Sequence, residues 1–166
     1  IKWSERKMQW TAPSGAKLWL SYLDKDQDVT RYQGLAFSWI GFDELTQWGT
    51  PFAWNYMRSR LRTADPELPL SMRATTNPGG RGHGWVKKMF IDPAPAGKSF
   101  IATEIETGEQ LKYPAGHAKA GKPLFKRRFI PARLKDNPYL AEQGDYEAML
   151  LSLPEQQRRQ LLDGDW

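Results

Sequence analysis

Cysteine is absent from the 166 residues, which excludes a disulfide framework and any thiolate metal site. That absence fits a reducing compartment. Histidine is scarce: His83 and His117 lie far apart, which argues against a histidine-based metal centre. No run of 18 apolar residues occurs, so no segment reads as a membrane span. No charged-then-apolar leader opens the chain, which argues against a secretory signal. Internal repeats and low-complexity tracts are missing. So is the G-x-x-x-x-G-K-[ST] phosphate loop; Gly97-Lys98-Ser99 comes nearest but lacks the upstream glycine. Acids are missing from Lys119 to Lys135, a stretch holding seven Lys or Arg.

Aromatics are plentiful, with eight Trp, seven Phe and six Tyr. Charged residues are ordinary in number, so a folded domain with a real core is expected. The net charge of +5 and isoelectric point near 9.5 bias the chain toward polyanions. Met8-Gln9-Trp10, a Pro13-Ser14-Gly15 turn and Ala16 to Leu23 read as a hairpin. Asp24 to Thr30 reads as a polar loop, and Leu35 to Phe42 as a buried strand. Thr50-Pro51 starts a helix that carries Trp54, Met57 and Leu61 inward and ends near Ala64. Leu70 to Thr75 alternates as a strand, broken by Asn77-Pro78-Gly79-Gly80. Trp85 to Ile91 reads as a short helix with Trp85, Met89 and Phe90 inward. Ser99 to Ile105, a Thr107-Gly108 turn and Gln110 to Tyr113 suggest a second hairpin. Arg127 to Leu134 is a further strand, edged or bulged by Pro131. From Asp136 the chain turns helical. Asp145 caps a helix with Tyr146, Met149 and Leu150, Ser152-Leu153-Pro154-Glu155 matches a capping box, and Gly164 ends the last helix. Strands alternating with helices predict an α/β class, with parallel strands joined by antiparallel hairpins.

Chemistry concentrates at two strand ends. Trp39-Ile40-Gly41-Phe42-Asp43-Glu44 has the shape of a Walker B segment, in which an aspartate at the end of a buried strand helps hold nucleotide Mg²⁺. A glutamate directly after it suits the polarisation of water. The plainer reading is a polar loop or an acidic first helical turn. One crossover later, Ala74-Thr75-Thr76-Asn77 offers hydroxyls and an amide suited to sensing a γ-phosphate. In a βαβ unit both ends open onto one crevice. Hydroxyl-rich strand ends also serve as simple caps or turns.

Several segments fall in a recognisable order. They are Arg31-Tyr32-Gln33-Gly34, Ile40 to Thr46, Thr76-Asn77-Pro78-Gly79-Gly80, Trp85-Val86-Lys87, Phe129-Ile130-Pro131-Ala132, Asp136 to Leu140 and Leu162 to Trp166. Together they resemble the large terminase subunit of tailed bacteriophages, the ATP-driven DNA-packaging motor. The resemblance covers nearly the whole chain. It implies a partial P-loop NTPase sheet of the additional-strand type over residues 1–135. A helical linker region over 136–166 would lead toward a nuclease domain. With the Walker A loop upstream, the 166 residues read as an internal piece of a longer protein.

The resemblance assigns roles by position. Asp43 would assist Mg²⁺ through its water shell, and Glu44 would be the catalytic base. Thr75, Thr76 and Asn77 would form the coupling motif that reads the state of ATP. Arg31 is the candidate trans-acting arginine. Apart from the resemblance, the basic run Lys119 to Lys135, with Lys126, Arg127, Arg128 and Arg133, reads either as a track for DNA phosphates or as a solvated basic loop, and Arg58, Arg60 and Arg62 read the same two ways. The implied partners are double-stranded viral DNA, a portal protein, a small terminase subunit and further copies in a ring, with no membrane. The implied location is the host cell cytoplasm. A helicase-like ATPase is one alternative, although Leu45-Thr46 departs from the DEAD/DEAH pattern. A non-catalytic basic nucleic-acid module is the other, and it leaves Asp43-Glu44 unexplained.

Overall fold

The computed structural model describes residues 1–141 and 144–166. It is a mixed α/β protein with small sheets of both orientations. Strands β1 (Lys2–Ser4), β2 (Gln9–Thr11) and β3 (Lys17–Trp19) form an antiparallel meander in that order. The expected turn at Pro13-Ser14-Gly15 joins β2 to β3, and Gly15 takes the positive φ of +86° that the tight reversal needs. The pairing aligns Trp3 with Trp10 and Trp10 with Leu18, a cross-strand row that stays 40–46% exposed. Trp19 points to the other face and meets Phe37 edge-on at 5.7 Å.

The segment expected as a loop over Asp24 to Thr30 is instead a 3₁₀ helix, Asp26–Tyr32. The Asp28 carboxylate accounts for it, accepting from the backbone N–H groups of Asp24 and Lys25, both at 2.9 Å. Its Val29 is fully buried and anchors one core cluster with Ile40, Ala53 and Met57.

Strand β4 (Trp39–Phe42) is shorter than the expected Leu35 to Phe42; upstream, Phe37 makes a lone parallel bridge to Leu61. Helix α1 (Phe52–Arg58) buries Ala53, Trp54 and Met57. It stops at Arg58 rather than near Ala64, because the chain must leave the helix for Leu61 to reach Phe37. Pro51 rather than the expected Thr50 stands at the N-cap; Thr50 Oγ1, one residue earlier, accepts from Phe52 N at 3.3 Å. Strand β5 (Ser71–Ala74) lies parallel to β4, with Phe42 opposite Ala74. Among the described residues, neither outer edge of this parallel pair is joined to another strand.

Helix α2 (His83–Val86) runs into a wider π turn, Lys87–Ile91. Trp85, Val86 and Met89 join Leu45 and Trp54 in the second core cluster, with Phe90 packed against it. Burying side chains of this size contributes about 2 kcal/mol each. Strand β6 (Ser99–Ile101) pairs with β7 (Lys126–Arg128), not with Gln110 to Tyr113. The second hairpin survives as a bridge between Thr103 and Gln110 and a 2.7 Å bond from Leu111 N to Ala102 O. β7 ends at Arg128 because Pro131 cannot continue a ladder.

The C-terminal part holds α3 (Pro138–Ala141), α4 (Asp145–Leu151) and α5 (Glu155–Arg158). α4 contains Tyr146, Met149 and Leu150 as expected, but Gly144 rather than Asp145 is its N-cap; Leu150 is its one buried residue, with Tyr146 and Met149 38% and 54% exposed. The capping box is not formed: Pro154 precedes α5, and Ser152 Oγ donates to Met149 O instead. Gly164 closes the last helical turn at φ +65°, as its position suggested. Among the described residues no helix is long and apolar enough to cross a membrane.

Candidate functional site

Parallel pairing of β4 with β5 sets Asp43 and Thr75 side by side, each one residue past its strand. The backbone continues the pairing, with Thr75 N donating to Phe42 O and Leu45 N to Thr75 O, both at 3.0 Å. Thr75 Oγ1 donates a short hydrogen bond to Asp43 Oδ1. The two strand ends are therefore one chemical unit, as their sequence positions implied.

Glu44 sits in the left-handed region at φ +52°, ψ +51°. For a residue with a Cβ this conformation costs about 1–2 kcal/mol. Its neighbours impose it: Glu44 N donates to Asp43 Oδ1 at 3.2 Å, and Leu45 N is held by Thr75. The Glu44 side chain is exposed, and no described residue forms a hydrogen bond or ion pair with its carboxylate. Residues held in sparsely populated backbone regions cluster at functional sites; among the described residues Met8 is the other non-glycine residue at positive φ.

Behind these groups is a partly buried hydroxyl relay that joins Thr76 and Asn77 to Thr46, a residue the sequence did not single out. Thr46, 2% exposed, donates its N–H to Thr76 Oγ1 at 3.0 Å. Thr76 Oγ1 donates to Thr46 Oγ1 at 2.9 Å, and Thr46 Oγ1 donates to Asn77 O at 3.0 Å. Asn77 thus contributes its backbone carbonyl here, while its side chain is exposed. The chain after β5 then folds back, and Gly82 N donates to Thr46 O at 2.7 Å. Gly80 and Gly82 permit that approach: a Cβ would lie 2.7 Å from Thr46 O at the first and 2.1 Å from Trp48 O at the second. The glycine-rich run is thus a packing device for the Asp43 loop. A buried Thr carries no periodic signal, so only the glycines hinted at this contact.

Arg31 belongs to a different group. Its guanidinium donates to Tyr22 O and lies 5.6 and 5.5 Å from the Tyr22 and Tyr32 ring centres. Among the basic candidates, Lys126 and Arg128 are exposed on β7, and Arg133 is exposed beyond it. Arg127 departs from the phosphate-tracking expectation. It alternates inward, is 9% exposed, and donates to Thr103 O at 2.9 Å. Burial, with the Arg58 charge beside it, pushes its pKa down to about 10, which leaves it charged at neutrality. Arg62 is occupied by Gly34 O and Leu35 O, at 2.9 and 3.1 Å.

Among the described residues no group of three or more His, Cys, Asp or Glu could hold a metal by itself. Asp43 alone offers a carboxylate braced at one oxygen, a donor set that suits Mg²⁺ only with phosphate and water oxygens completing its shell. A cleft of about 480 Å³ is lined by His83 and residues of the C-terminal segment and includes none of these groups. In comparisons with known proteins, the chain matches no family model, and neither a curated protein nor a solved structure matches it.

Proposed function

We propose that this chain contributes the carboxylate side of the nucleotide site in an ATP-hydrolysing DNA-packaging motor of the terminase large-subunit kind. The observation that carries the reading is the joining of Asp43 and Thr75 across parallel strand ends one crossover apart. Strand ends of a parallel pair are where α/β proteins receive phosphorylated ligands. Mg²⁺, when bound with ATP, would neutralise charge on the transferring phosphoryl group.

The chain's own residues supply the rest. Thr75 holds Asp43 in one orientation, so its second oxygen is presented to the water shell of a cation. Glu44, strained and without a side-chain partner among the described residues, would orient a water and take its proton. Thr76 and Thr46 brace the end of β5, so a shift there is passed to the Asp43 loop through a partly buried hydroxyl relay. The phosphate cradle is not among the 166 residues and would come from a segment outside them. Lys126, Arg128 and Arg133 would meet duplex phosphates without reading sequence. Assembly as a ring on a portal, with a small terminase subunit, in the host cytoplasm, belongs to the same reading.

The test is Glu44→Gln in a protein that includes the phosphate loop. ATP binding should persist while hydrolysis falls by about 10²–10⁴-fold. Unchanged hydrolysis would remove Glu44 from the chemistry and with it this reading.

A further inference from the structure

We infer that Trp54, Arg58 and Arg127 form a site for a single oxyanion head group, a phosphate or a carboxylate, where α1 meets Phe90 and Phe125. Trp54 and Arg58 lie four residues apart on α1 and so share a helix face. Trp54 Nε1 and one terminal nitrogen of Arg58 are both fully covered, and neither has a hydrogen-bond partner among the described residues. The Arg58 guanidinium lies 4.3 Å from the centre of the Phe125 ring, and that of Arg127 lies 5.3 Å from the same centre. Arg127 also lies 5.6 Å from Phe90, whose ring Trp54 meets edge-on at 5.4 Å. The two phenylalanines therefore gather three donor-bearing side chains, and among the described residues the one acceptor bonded to any of them is Thr103 O, held by Arg127.

Among the described residues no acid pairs with these charges. The ion pairs among the described residues are Lys87–Asp92 and Arg159–Asp165. Glu104, next to the Thr103 carbonyl that Arg127 holds, turns its carboxylate to Glu106 N and Thr107 N of its own turn. Burial lowers the pKa of Arg58 and of Arg127, as expected for cations removed from water without a counter-ion. Two like charges around one ring and two unmet buried donors are all unfavourable, and one oxyanion relieves them together. A guanidinium fork suits its paired oxygens. The enclosure limits the ligand: with Arg127 only 9% exposed and Arg58 half-buried, a duplex backbone cannot reach both, so the proposed ligand is a small head group. The site shares no residue with the Asp43 group and does not depend on the ATPase reading.

Titration calorimetry of the 166-residue protein with inorganic phosphate, and separately with acetate, tests the inference in chloride buffer at fixed ionic strength. One saturable site is expected for at least one anion. Preference for phosphate assigns a phosphorylated ligand, and preference for acetate a carboxylate. Arg58→Gln, checked for folding by circular dichroism, should weaken binding at least about tenfold, the loss of one charge-assisted bond. Arg58→Lys should recover part of it. Absence of saturable binding by either anion, or Arg58→Gln binding as tightly as the parent, overturns the proposal.

Discussion

Gly82 and Gly84 stand two residues apart at the start of α2, and replacing each with alanine should have opposite consequences. A Cβ at Gly82 would lie 2.1 Å from Trp48 O, 2.7 Å from Trp85 Nε1 and 3.0 Å from Thr46 O. Two of those atoms are backbone, so the clash cannot be relieved by turning a side chain. The displaced chain would give up the Gly82 N to Thr46 O bond and the Trp85 Nε1 to Trp48 O bond, each 2.7 Å long. Two such bonds contribute about 2 kcal/mol and overpacking costs about 1–3 kcal/mol more, so Gly82→Ala should destabilise by about 4 kcal/mol. For a chain of this length that lowers Tm by about 10 °C. At Gly84 a Cβ meets nothing within 4 Å, and the residue is helical. Gly84→Ala should therefore stabilise by about 0.5–1 kcal/mol. Urea denaturation followed by tryptophan fluorescence measures both. A Gly82→Ala protein within 1 kcal/mol of the parent, or equal shifts for the pair, would refute the argument that this turn is clamped against the Asp43 loop.

Glu44→Gly should raise stability by about 0.5–1 kcal/mol, because glycine adopts the left-handed region without the Cβ penalty but carries more unfolded entropy. The same substitution should abolish ATP turnover in a phosphate-loop-containing protein, a gain and a loss that denaturation and phosphate release report separately. Thr46→Val should cost about 2 kcal/mol in the same denaturation assay, since it leaves Asn77 O and Thr76 Oγ1 short of a buried partner. Asp28 has a pKa held below its ordinary 3.8, first by the Lys25 backbone bond. A depressed acid stabilises the fold above its unfolded pKa, and that contribution disappears as pH falls through the lower folded value. Thermal unfolding of Asp28→Asn should therefore fall less steeply than the parent between about pH 4 and pH 2; parallel curves would count against the Asp28 cap.

Much of the Asp43 group was legible because it is written in local signals. An apolar strand ending in acids, and a second strand ending in hydroxyls one helix later, need no distant information. The β2–β3 hairpin was legible for the same reason, through its Pro-Ser-Gly turn. What was lost depended on tertiary choice. Nothing local shows that Leu61 will leave α1 for a bridge to Phe37, or that β6 will choose β7 over its nearer neighbour. The basic run looked uniform, but strand alternation divides it, turning Arg127 inward while Lys126 and Arg128 face out. Thr46 was invisible because a buried hydroxyl is recognised by its partners, which arrive from 30 residues away.

The parallel pairing of β4 with β5 also bears on the order in which the molecule forms. Asp43 and Thr75 are 32 positions apart, with α1 between them. Closing a loop of that size costs about 1 kcal/mol more entropy than closing the ten-residue separation of the β2–β3 hairpin. The meander can thus zip from neighbouring residues, while the carboxylate and hydroxyl meet only after the crossover helix has packed. Newly made chains would pass through a stage with the N-terminal sheet formed, the β4 edge bare and no site at all. That bare edge is the stretch most exposed to wrong pairing during synthesis.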